Sequence, residues 1–214
     1  MSILKNLKRI NDNLRGEVKL VVVTKNRSVR EINQVLFLGV KDIGESRLYE
    51  AREKKPLVKG EAKWHMIGHL QRNKVKDAVE LFDMIQSVDS LKLAKKINNV
   101  CKSKNKKMVV LIQVNISREP QKYGVMEEEL ISFLKELSEL KNIKVLGLMA
   151  MAPFVEPEEA RPFFRRVRLL FQKAKKEKIP NIEIKYLSMG MTNDYKVAVQ
   201  EGANMVRIGT AIFD

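Results

Sequence analysis

A lysine closes the first apolar run of the chain, Leu20-Val21-Val22-Val23-Thr24-Lys25. Its β-branched residues lack helical spacing and read as a short strand buried on both faces. The ammonium at its end either reaches for water or stands ready as a nucleophilic amine toward a carbonyl. Far along the chain, "SMGMTND" (188–194) and "RIGTAIF" (207–213) carry a complementary chemistry. Each follows an apolar run and combines glycine, hydroxyls and free helix-start amides, the ingredients that admit and attract an anion. One such turn is weak, since Ser and Thr commonly just cap helices. Two of them, one carrying Arg207, point to a phosphate resting near Ser188, Gly190, Gly209 and Thr210.

These groups can meet only if the intervening elements bring them together. After an amphipathic N-terminal helix, "MSILKNLKRINDNLRGE", short apolar strands alternate with amphipathic helices along the whole chain. Strands are predicted at Val18–Thr24, in "VKDIGES" to Gly44, in "KWHMIG", in "DMIQSVD", at 107–115, 143–149, 182–189 and 204–209. Helices are predicted at Val29–Leu38, Arg47–Lys55, Gln71–Leu81, Leu91–Cys101, Glu127–Leu140, Pro157–Lys176 and Asn193–Glu201. The longest shows one apolar face in Phe163, Phe164, Val167, Leu170, Phe171 and Ala174.

Strict alternation implies parallel strands, and eight such units in about 200 residues imply an α/β fold, a single (β/α)8 barrel over 1–214 with an added N-terminal helix. An open doubly wound sheet is the alternative. Its Gly-x-Gly-x-x-Gly fingerprint is absent from "TKNRSVRE". The chain runs only five residues past Gly209, so the N-terminal helix is expected to cover the place of an eighth one. Alternation puts Lys25 on the same side as Val21 and Val23, in the barrel mouth if those valines point inward. Closure then pairs the last strand with the first, about 4.8 Å apart. A phosphorylated aromatic aldehyde fits between amine and cradle; pyridoxal 5′-phosphate (PLP) would form a Schiff base with Lys25 there.

Composition removes several other classes. Lysine and arginine total 41 against 26 aspartates and glutamates, a net charge of +15, which invites a nucleic-acid partner. The basic runs "KSKNKK" and "KAKKEK" sit at helix ends, where solvated cations suit the dipole, and with 6% aromatics no stacking platform is visible. Nucleic acid is not expected as a partner, nor is a membrane, since no run approaches a spanning length. Cys101 has no partner for a disulfide and, with His65 and His69 the two histidines, no metal site is expected. A cytoplasmic location follows as an expectation.

"VVVTK", "WHMIGHLQRNK", "VLIQVNIS", "GLMAMAP", "LSMGMTND" and "MVRIGTAIF", in this order, resemble the YggS/PROSC family of pyridoxal phosphate homeostasis proteins. The resemblance implies a barrel like the N-terminal domain of alanine racemase, PLP fold type III without the second β domain, with PLP on Lys25. It implies phosphate contacts from Ser188, Gly190, Met191, Thr192, Arg207, Gly209 and Thr210. It further implies a carrier and buffer of PLP in vitamin B6 balance without a robust reaction of its own, with PLP-dependent apo-enzymes as candidate recipients; a monomer is expected. Two departures stand out. Thr24-Lys25-Asn26-Arg27-Ser28 replaces the family's Ser-Lys-Thr-Lys-Pro, and Ser46 replaces the asparagine of Gly-Glu-Asn.

Other residues admit two readings. His65 lines the mouth or packs beside Trp64; Asn115 meets the cofactor ring or caps a turn. Met149 and Met151 touch the ring or fill the core. Arg207 pairs with the phosphate or with the pyridine nitrogen, and the latter leaves the ring a weak electron sink. An amino-acid racemase is the second reading, though it needs two opposed proton-transfer groups; a sugar-phosphate lyase using Lys25 is the third.

Overall fold

The computed structural model describes residues 2–14 and 18–214; Met1 and residues 15–17 of the expected N-terminal helix lie outside this description. The first half runs α1 (Ile3–Leu14), β1 (Lys19–Val23), α2 (Val29–Phe37), β2 (Asp42–Glu45), α3 (Leu48–Lys54), β3 (Lys63–Met66), α4 (Val75–Leu81) and β4 (Met84–Val88). The second half runs α5 (Leu91–Ser103), β5 (Met108–Val114), α6 (Leu130–Leu137), β6 (Ile143–Ala150), α7 (Pro157–Lys176), β7 (Ile182–Ser188), α8 (Tyr195–Gln200), β8 (Met205–Ile208) and α9 (Thr210–Phe213). The strands are parallel and close in sequence order into a barrel, with Val21 of β1 opposite Arg207 of β8. This is the (β/α)8 barrel expected from the alternation.

Burial divides the apolar residues into two cores. One lies between the strands and the ring of helices and takes the outward strand positions, such as Val22, Ile43, Ile85 and Ile208. The other fills the barrel with Val21, Met84, Leu111, Met149 and Met205, as layers of inward side chains do in this fold. Val21 therefore points inward and Lys25, four residues on, emerges on the same side at the strand's C-terminal end.

Helix ends depart from expectation in small ways. The segment expected as helix from Gln71 begins with a 3-10 turn at Arg72–Lys74, and that from Glu127 with one at Glu127–Glu129, the tightening common at helix N-termini. The helix expected from Asn193 starts at Tyr195, because Asp194 turns its carboxylate back to the Met191 amide. On α7 the deeply buried residues are Ala160, Phe164, Val167 and Ala174, while Phe163, Leu170 and Phe171 are only partly covered. The eighth helix, α9, is four residues long. Helix α1 lies against it with Leu7, Ile10 and Leu14 buried, and Asn6 Nδ2 donates to the Ile212 carbonyl at 3.0 Å.

Candidate cofactor site at the barrel seam

Lys25 is exposed at the rim, and its neighbours in sequence are fixed more firmly than it is. Thr24 is fully buried; its hydroxyl donates to Glu45 Oε1 at 2.7 Å and its amide to the Gly44 carbonyl at 3.0 Å. Lys54 donates to the Thr24 carbonyl at 2.9 Å, Glu45 Oε1 at 2.9 Å and Glu50 Oε2 at 2.6 Å. The Asn26 amide donates to Glu50 Oε2 at 2.8 Å, holding Asn26 in the left-handed region at φ 59°. That conformation is one asparagine tolerates better than most residues. Burial raises the pKa of Glu45, whereas Glu50 is held below its usual range because Lys54 and the Asn26 amide outweigh burial. Two residues further on, Ser28 and Glu31 form a reciprocal capping box that starts α2. The turn presenting the amine is thus anchored on both sides.

The opposite wall comes from the ends of β7 and β8. Gly190 has φ +93°, and a Cβ there would fall 2.6 Å from the Ala198 Cβ, so only glycine fits. Its carbonyl accepts from the Arg207 amide at 3.0 Å. Thr192 Oγ1 accepts from the Ala211 amide at 3.3 Å and so ties the two turns together. At Gly209 a Cβ would lie 3.1 Å from the Val23 carbonyl oxygen and 3.2 Å from the Val23 Cβ. The β8 turn therefore lies directly against the strand that carries Lys25. Between these walls is a cavity of about 520 Å³ lined by residues that include Val23, Lys25, Thr192, Arg207, Gly209 and Thr210.

At the floor lies Arg207, almost wholly buried, its pKa pulled down to about 10 by burial with partial compensation from Asp194. It donates to Ser188 Oγ at 2.8 Å and to the Ala150 carbonyl at 3.0 Å. Both acceptors are neutral, and a guanidinium has five N–H donors. A buried cation with so little compensation favours an electron-rich ligand above it. Burial likewise raises the pKa of Asp194, whose carboxylate accepts the Met191 amide at 2.6 Å.

Of the expected site residues, Lys25, Met191, Thr192, Arg207, Gly209 and Thr210 line the cavity. Ser188 lies underneath, fully buried between Arg207 and Gln86, and Gly190 shapes the turn. The backbone N–H of Met191 is taken by Asp194. Met149 is fully buried within the barrel, and Asn115 gives its amide to the carbonyls of Glu119 and Lys122, each at 3.0 Å, bracing the loop after β5. His65 is not at the mouth. It is 1% exposed inside the barrel, hydrogen-bonded to Asp42 and Gln86. Ser46 lines a separate hollow with Arg47, His69 and Lys74. Sequence reading missed the wall supplied by Ala152, Pro153, Phe154 and Val155. Its signal was the proline-bounded loop right after a barrel strand, on the face where such sites form.

A parallel barrel with an amine at the end of its first strand and a glycine cradle at its last two defines a class, and the sequence comparison agrees with it. The chain belongs to the alanine racemase N-terminal domain family, which matches residues 1–214. Within that class it is similar to the pyridoxal phosphate homeostasis protein of Aquifex aeolicus, 40% identical over 203 residues that cover 93% of this chain and 88% of the relative. The structure of PipY from Synechococcus elongatus with PLP bound superposes with a TM-score of 0.92 at 30% identity, covering 100% of both chains. Alanine racemase of Clostridium difficile superposes at 0.80 with 20% identity, covering 99% of this chain and 55% of that one; this likeness concerns the fold.

Proposed function

We propose that this protein binds pyridoxal 5′-phosphate at the β8–β1 seam and serves in its homeostasis, with Lys25 holding the cofactor as a Schiff base. The observation that carries this reading is the close approach of Gly209 to Val23, which sets an anion cradle beside the lysine strand. The residues present fit the group. An exposed amine suits the aldehyde, the turns at 188–192 and 207–210 suit the phosphate, and Arg207 offers spare N–H groups to either the phosphate or the ring nitrogen. When bound, PLP supplies a reactive carbonyl carbon. The chain supplies the amine, the buried cation and a wall of apolar surface from Ala152 to Val155 that keeps water from one side.

Retention rather than turnover is supported by the lining itself. Apart from Lys25 and two arginines, its one titratable group is Asp194, already committed to the Met191 amide. Racemisation needs proton-transfer groups on both faces. The purified protein is expected to be yellow, and borohydride reduction followed by peptide mass spectrometry is expected to place the adduct on Lys25. An adduct on another lysine, or none, overturns the assignment.

A further inference from the structure

A line of polar side chains runs through the barrel from its mouth to its base. Arg207 donates to Ser188 Oγ at 2.8 Å, and Ser188 Oγ donates to Gln86 Oε1 at 2.7 Å. Gln86 Nε2 meets His65 Nδ1 at 2.9 Å, His65 Nε2 meets Asp42 Oδ1 at 2.9 Å, and Lys19 Nζ donates to Asp42 Oδ2 at 2.9 Å. Because β4 and β7 are not neighbours in the barrel, the Ser188–Gln86 bond crosses its interior.

Each link dictates the next. A guanidinium only donates, so Ser188 must accept from Arg207 and turns its proton to Gln86. The Gln86 oxygen is thereby used, its amide N–H faces Nδ1 of His65, and the imidazole carries its proton on Nε2 toward Asp42. Apart from Lys19, these residues are at most 5% exposed. Packing alone does not ask for them, since the adjoining layer is filled by Val21, Met84, Leu111, Met149 and Met205, and replacing buried charged groups by apolar ones of similar volume is often neutral or stabilising.

We infer that Gln86 and His65 are positioning residues for the cofactor: acting through Ser188, they hold Arg207 in the orientation that meets it, although neither lines the cavity. This rests on the reading that PLP binds above Arg207. The same links run in reverse, so occupancy of the mouth must be felt at His65.

The test uses the full-length protein with 15N-labelled histidine, His65 being assigned by comparison with a His69→Gln variant. On titration with PLP, the His65 ring resonances are expected to move and to saturate together with the visible absorption band. In Gln86→Met, which keeps the bulk and removes the hydrogen bonds to Ser188, His65 and Met205, that response should vanish and the Kd for PLP rise about tenfold, the equivalent of one hydrogen bond to a charged group. The band should also shift in wavelength, which a merely structural role would not produce. A wild-type protein that develops the band while His65 stays unmoved overturns the inference and leaves PLP binding intact. So does a Gln86→Met protein whose His65 responds as in wild type. Absence of any band overturns the binding reading, and this inference with it.

Discussion

On the proposed reading, Gly209 and Lys25 divide the work of binding in a way that two substitutions separate. Binding to the folded state alone stabilises it by about 2.7 kcal/mol at a hundredfold excess of ligand over Kd, so PLP is expected to raise Tm. In Lys25→Ala the cradle survives, and part of the Tm shift should persist with PLP but little with unphosphorylated pyridoxal. In Gly209→Val the amine survives, while the new side chain must displace Val23 from a gap of 3.1–3.2 Å. PLP affinity should fall by about tenfold or more with pyridoxal affinity nearly unchanged. Equal PLP affinity in Gly209→Val and wild type would place the cradle elsewhere. Lys25 and the glycines stood out in the sequence because an amine at a strand end and a backbone that admits close approach are each supplied by few residue types. Ser188 and Arg207 were legible as residues, but the bond between them was not: it depends on which strands face one another across a closed barrel. The tasks of Asn115 and His65 stayed ambiguous for the same reason, since a polar side chain at a strand end can serve a loop, the core or a ligand.

Among the elements, β2 carries charge on both faces. Its inward Asp42 pairs with Lys19 and His65, and its outward Glu45 is bonded to Thr24 and Lys54. Their pKa values move in opposite directions. Burial alone would raise Asp42, but the hydrogen bonds from His65 and Lys19 prevail and hold it below its ordinary 3.8. Since the folded form of Asp42 binds a proton less readily than the unfolded form, its contribution is complete above that value and is lost as pH falls toward the lowered one. Glu45, raised by burial above its ordinary 4.5, costs stability as pH rises through the window above that value. Asp42→Asn should therefore be less stable than wild type near neutrality, yet lose less further stability between about pH 5 and pH 3. Urea midpoints across that range decide it, and parallel curves for the two proteins would show that Asp42 is not linked to folding. The strands themselves were readable because a fully buried parallel strand is a bare apolar run bounded by polar turns. Helix starts were less so, because first turns at Arg72 and Glu127 tighten into 3-10 geometry that periodicity does not register.

Across the whole molecule, α1 and the segment after β8 meet at the seam proposed for the cofactor. Asn6 is 2% exposed and donates to the Ile212 carbonyl, while Arg27 bonds Asp214 at 2.6 Å and lies over the Phe213 ring at 4.9 Å. Asn6→Ala leaves a buried carbonyl unpaired, a loss of about 1–3 kcal/mol, which lowers Tm by roughly 2–4 °C per kcal/mol in a chain of this size. Because α9 begins at Thr210, PLP affinity should drop along with Tm, and a Tm loss without any change in affinity would separate α1 from the site. That the amphipathic N-terminal helix would cover the place of an eighth one could be expected from the sequence. The hydrogen bond that locks the two together could not.

Closure between the first and last strands also sets an order of events on the ribosome. Lys25 precedes Arg207, Gly209 and Thr210 by most of the barrel, so it leaves the exit tunnel long before they do. Until β8 joins β1, the nascent protein holds a free lysine beside an incomplete sheet with two open edges. On the proposed reading, cofactor capture is thereby reserved for chains in which β8 has already been made and paired with β1.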